Sequence, residues 1–112
     1  MTVRTTLATL AIVVAALGAL AACGAPSSER VTRVLGLTGT ASSGAAVYTR
    51  ACASCHDADG TGTSQPMSAL VPAEDDVGLA QVVAGGSHVP TSAMSEQEAA
   101  DLMAYLRQTW PG

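Results

Sequence analysis

A chain of 112 residues, 48% hydrophobic, with two tyrosines, one tryptophan and no phenylalanine, has room for one small domain. Nine acidic residues against five arginines and no lysine leave a net charge of −4, which repels phosphate and excludes nucleic acid as a partner. The same balance excludes docking through a ring of lysines.

Residues 1–22 have the form of an export signal. Arg4 supplies the positive start, and residues 7–20 are apolar and uncharged. That stretch is shorter than the roughly 20 residues a membrane span needs. It leads into Leu20-Ala21-Ala22-Cys23-Gly24, which resembles a bacterial lipobox. The resemblance implies a lipid anchor on Cys23, a mature chain starting there, and a place outside the cytoplasm at a bacterial membrane. The alternatives are a plain secretory signal with an incidental cysteine, or a retained transmembrane helix.

Residues 24–43 are rich in Gly, Ala, Ser and Thr and suggest a flexible tether. Val31, Val34, Leu35 and Leu37 leave open a short ordered segment within it. The expected organisation is therefore a signal over 1–22, a lipid-anchored tether over 23–42 and a folded domain over 43–112. A first helix is expected over 43–51, capped by Ser42 or Ser43, with Val47, Tyr48 and Ala51 on one face. Asp59, Gly60 and Gly62 make 57–64 a loop, and 65–72 is expected to be a second loop. A short helix over 75–84 presents Leu79, Val82 and Val83 and ends at Gly85-Gly86. Residues 87–94, with Pro90, form another loop. In the last helix Ser95 and Glu98 form a capping box. Ala99, Leu102, Met103, Leu106 and Trp110 recur there at helical spacing, and Pro111 stops it. No segment alternates like a strand, so the fold class is all-α, with three to four short helices and long loops.

A domain of about 70 residues with so few large side chains needs a staple or a cofactor to complete its core. The three cysteines point to one. Cys23 is accounted for by lipid, leaving Cys52-Ala53-Ser54-Cys55-His56. On a helical turn both thiols project to one side. Each can add to one vinyl group of a haem, and the neutral imidazole of His56 suits its iron. A redox C-x-x-C pair would be expected in a βαβ unit, for which there is no pattern. A zinc site using His56 and His88 lacks a second cysteine pair.

The run Gly44-x-x-x-Tyr48-x-x-x-Cys52-x-x-Cys55-His56-x-x-Asp59-Gly60-x-Gly62 resembles the start of a class I c-type cytochrome domain. The run from Ser95 to Arg107 resembles that family's C-terminal helix. Together the likeness covers residues 40–110. It implies one covalent haem c, His56 as the proximal iron ligand, and Pro66 beside it with a carbonyl that orients the His56 ring. It also implies a contact of Gly44 and Tyr48 with Leu102 and Tyr105. The family's usual distal methionine falls on Val89-Pro90, and valine cannot bind iron. Counted back from Tyr105, the ligand window spans 87–89 and contains His88. Met94 has the usual chemistry but lies closer to the last helix, at a position typical of core packing. Met67 follows Pro66 on the proximal side. His88, Met94 and an open site thus remain as alternatives.

The function implied is one-electron transfer without enzymatic turnover, between membrane-bound or periplasmic redox proteins. A haem-based sensor or gas binder with an open distal site is a second class. A cytochrome subunit of a larger oxidase or dehydrogenase complex is a third.

Overall fold

The computed structural model describes residues 26–86, 88 and 94–112. The export signal, Cys23 and the Val89-Pro90 position lie outside them. The described residues form six helices and no strand: α1 (Pro26–Leu35), α2 (Ala41–Ala51), α3 (Ala53–His56), α4 (Met67–Ala73), α5 (Asp76–Ala84) and α6 (Glu96–Thr109). The all-α expectation holds, with more helices than the three to four expected.

The central feature is the crossing of α2 on α6. A Cβ on Gly44 would stand 1.9 Å from the Asp101 carbonyl oxygen and 2.7 Å from Tyr105 Cβ. No side chain fits there, so the two backbones touch. The crossing also starts α2. Its N-cap is Thr40, not Ser42 or Ser43, and the cap carries no side-chain hydrogen bond of its own. Instead the buried Asp101 carboxylate accepts from the Thr40 N–H at 2.8 Å and from Gln97 Nε2 at 3.0 Å. A carboxylate from another helix thus supplies the negative group that a helix N-terminus favours. Serines at 42 and 43 look like local caps only while that partner is out of view.

At the other end of α6 the aromatic side chains gather. The Tyr48 ring lies 5.4 Å from Tyr105 and 5.5 Å from Trp110, and the latter two meet edge-on at 6.1 Å. The Tyr48 hydroxyl donates to the Asp57 carbonyl at 2.6 Å. This bond ties the turn after His56 to α2. The capping box starts α6 as expected, with Ser95 accepting from the Glu98 N–H at 3.1 Å and Glu98 accepting from the Ser95 N–H at 3.2 Å. Arg50 of α2 pairs with Glu98 and, together with Ser95, holds its carboxyl below the usual range.

Two segments expected to be irregular are helical. The stretch taken as tether holds α1, whose Val31 and Val34 are buried against α5 and α6. Arg33 bonds Glu96 at 2.8 Å, and Arg30 donates to the Met94 carbonyl. Two valines three apart, with arginines beside them, give α1 one apolar stripe and a charged flank. The loop expected over 65–72 contains α4, which buries Met67 and Val71. Pro66 caps it, and Pro72 lies inside its last turn, where the missing N–H leaves the Ser68 carbonyl without its helical donor and helps to end the helix. Arg107 of α6 closes that corner. It donates to the carbonyls of Val71 at 2.8 Å and Glu74 at 2.6 Å, and to Asp76 Oδ1 at 3.1 Å. The helix over 75–84 matches expectation, with Asp75 as its cap, accepting from the Gly78 N–H at 2.7 Å.

Two predictions follow from this frame. Gly44→Ala should force α2 off α6 and destabilise the folded protein by about 1–3 kcal/mol, read by thermal or denaturant unfolding. Burial pushes the Tyr48 phenol up from 10.0 to about 12. The folded protein therefore keeps that proton after the unfolded chain has lost it. The resulting stability is fully present below pH 10 and fades as the pH rises towards 12. Tyr48→Phe should flatten this part of the stability–pH curve and, at neutral pH, cost about 1 kcal/mol through the lost bond to Asp57.

Candidate functional site

The Cys52–His56 segment is set by local backbone bonds. Cys52 is the last half-turn of α2 and the cap of α3, and its carbonyl accepts from the N–H groups of Cys55 at 3.2 Å and His56 at 2.9 Å. This single helical turn ends at Asp57, whose φ is 60°. That left-handed value is uncommon for a residue with a side chain, and Asp is among the types that tolerate it. Three bonds hold the reversal: Tyr48 on the Asp57 carbonyl, the Gly62 N–H on the His56 carbonyl at 3.0 Å, and the Met67 N–H on the Gly60 carbonyl at 2.8 Å. Asp59 braces the loop by accepting from the Thr61 hydroxyl at 2.7 Å and the Thr61 N–H at 3.1 Å, bonds that lower its carboxyl pKa.

The turn stands beside an open, largely apolar cleft with an accessible volume of about 180 Å³. Cys52 and His56 line one wall with Met67, Leu70 and Val71 of α4. Leu79, Val82 and Val83 of α5 and then His88 line another, and Leu102 and Leu106 of α6 complete it. Glu74 is the one carboxylate in the lining. The Cys52 thiol is buried, and desolvation pushes it up to about 11, so it is neutral. Cys55 is exposed and outside the lining, and neither cysteine is in a disulfide. His56 Nδ1 is buried and has no hydrogen-bond partner. A buried polar atom left in this way marks a place where another group completes the structure. Among the described residues no cluster of three or more His, Cys, Asp or Glu side chains could hold a metal ion by itself.

These residues fit a haem. The wall offers apolar side chains to a flat macrocycle, and one motif offers two thiols and a ring nitrogen. Pro66 is half-buried beside the cleft, but its carbonyl accepts from the N–H groups of Ala69 and Leu70 at 2.9 and 3.1 Å and makes no bond to His56 Nδ1. Here the carbonyl expected to orient the His56 ring is used to cap α4. Met94 lies in the core and outside the lining. His88 lies in the lining, its ring centroid 6.4 Å from that of His56. Met67 was expected on the His56 side; the contributions of Leu70 and Val71 were not foreseen, although their spacing with Met67 on one helix face was the available signal.

Residues 39–106 match the family described as cytochrome c oxidase, cbb3-type, subunit III. The chain is also 34% identical, over 100 residues, to the cytochrome c subunit of a quinone alcohol dehydrogenase from Gluconobacter oxydans strain 621H. That match covers 72% of this chain and 21% of the relative, so the chain spans about a fifth of the length of the curated relative it matches. No solved structure matches. The expected contact of Gly44 and Tyr48 with Tyr105 is present, the cysteine and histidine motif stands on the cleft, and the family match covers most of the chain: it belongs to the cbb3-type subunit III family of c-type cytochrome domains, which bind haem c covalently and transfer electrons.

Proposed function

We propose that the chain carries single electrons on one haem c outside the cytoplasm, tethered to a bacterial membrane by lipid on Cys23, between membrane-bound or periplasmic redox proteins. The observation that carries this reading is the placement of Cys52 and His56 on one helical turn against an apolar cleft. Cys52 and Cys55 would hold the haem through thioethers, and His56 would ligate its iron. When bound, the haem supplies reversible one-electron chemistry between ferrous and ferric iron.

The chain's own residues bind and shield. Leu70, Val71, Leu79, Val83, Leu102 and Leu106 keep water from the cleft, which limits the rearrangement that a change of charge demands. Tyr48 and Gly62 fix the turn that carries the motif. The cleft's titratable side chains are Cys52, His56, Glu74 and His88. With Cys52 bound as a thioether and His56 on the iron, this set would serve haem binding, which favours a carrier over an enzyme. The tether would raise the local concentration of the domain near membrane-bound partners.

The test is expression of the full chain in a host with c-type maturation, followed by reduced and oxidised visible spectra. A c-type spectrum that stays with the protein after acid–acetone extraction is the expected result. Cys52→Ala combined with Cys55→Ala should abolish covalent haem, and each single variant should leave one bond and a shifted spectrum. A wild-type chain whose haem is extracted by acid–acetone would overturn the reading.

A further inference from the structure

We infer that His88 is the second axial ligand of the iron, so that two imidazoles face each other across the haem. This rests on the haem reading of Cys52, Cys55 and His56.

The two rings stand on different elements, His56 at the end of α3 and His88 beyond α5, and both line the same cleft. Their centroids are 6.4 Å apart and their planes differ by 25°. An imidazole nitrogen binds a first-row divalent metal at about 2.0–2.1 Å and lies about 1.1 Å from its own ring centre, so two imidazoles on opposite sides of one ion have centroids about 6.3 Å apart. The observed spacing matches that value before any metal is considered.

The backbone accounts for how His88 arrives. α5 ends with Gly85 as its cap, and Gly86 follows at φ 86°. This left-handed residue turns the chain back after the helix, the usual role of glycine at that position. His88 comes two residues later. α5 in turn is held by α1, whose Val31 and Val34 are buried beneath it.

The methionines are placed for other work. Met94 is 6% exposed, belongs to the core and gives its carbonyl to Arg30. It does not line the cleft. Met67 does line it, but at the first position of α4, with its Cβ and Cγ about where a side chain on Gly60 would stand. Its stem packs on the loop that follows the motif.

The test uses the haem-loaded full chain, with acid–acetone extraction first. Loss of haem from the wild type at that step would overturn the haem reading itself. With covalent haem established, the oxidised wild type should be low-spin, lack the far-red charge-transfer band of methionine–iron ligation, and when reduced should not bind carbon monoxide. His88→Ala should become high-spin, bind carbon monoxide, and return to low-spin on addition of free imidazole. His88→Met should gain the far-red band and raise the midpoint potential, since a thioether favours reduced iron. This second variant keeps the inference testable if His88→Ala does not retain haem. Met94→Leu, a core residue outside the cleft lining, should leave all of these signals unchanged. A far-red band in the wild type, or a low-spin His88→Ala without added imidazole, would overturn the assignment.

Discussion

The contact between the backbones of α2 and α6 at Gly44 and Asp101 sets everything else in this domain. Because no side chain separates the helices there, the residues one and two turns further along α2 fall at fixed depth against α6. Tyr48 lands on Tyr105 and Trp110, and Cys52 lands at the cleft. The Asp101 carboxylate that caps α2 belongs to the same crossing, so forming the contact and starting the helix are a single event. The Tyr48 hydroxyl then extends this order to Asp57, which closes the turn bearing Cys55 and His56. One close approach thereby fixes the motif from its α2 side and from its loop side.

The packing on the two sides of that crossing is unequal. All three aromatic side chains gather at the Tyr48 end and satisfy one another there. The cleft side is lined mainly by Val and Leu, which are too short to close the gap between α4 and α5. A domain this small has little apolar area to give away. A large flat apolar group joined covalently between these walls would supply the missing contacts, and the same residues that shield it would gain their own burial from it. Arg107 shows how the walls are kept apart and still in place. It satisfies the terminal carbonyls of α4 from α6, so the corner between α4 and α5 is fixed without a side chain entering the cleft.

What the sequence made legible was local. The haem motif, the Ser95–Glu98 capping box and the helix opened by Asp75 each consist of residues within a few positions of one another, and each is present as expected. The misreadings all involve a distant partner. Ser42 and Ser43 are ordinary cap types, but the cap group is Asp101, about 60 positions away. Residues 26–35 look like linker by composition, yet Val31 and Val34 gain burial only once α5 and α6 are present to receive them. Leu70 and Val71 were hidden by Pro66 and Pro72, because a short stretch bounded by prolines reads as loop, although proline is tolerated at the start of a helix. The Pro66 carbonyl, implied by family likeness to orient His56, accepts here from N–H groups in the first turn of α4. The distal side could not be resolved from spacing alone, since His88 and Met94 both lie before the last helix. Burial separates them: one lines the cleft and the other is in the core.

On the inferred His88 assignment, the two imidazoles and the acidity of the chain would act on the iron in the same direction. Oxidation leaves one more positive charge in the cleft. Imidazole nitrogen accommodates that charge better than a thioether, and a second imidazole lowers the potential relative to the histidine–methionine pair usual in class I domains. The excess of acids over arginines also favours the oxidised form, but most of it is on the surface and is screened beyond about 8–10 Å at ordinary salt. Glu74 stands nearer, at the exposed edge of the cleft lining, with Arg107 on its backbone carbonyl. Against these stands the apolar wall, which penalises any added charge in the cleft. The place of His88 in the lining follows from the chain's route out of α5. With His88 as ligand, the turn at Gly86 would help tune the potential, and α1, which lies before the region matched to the family, would take part by holding the helix from which that turn begins.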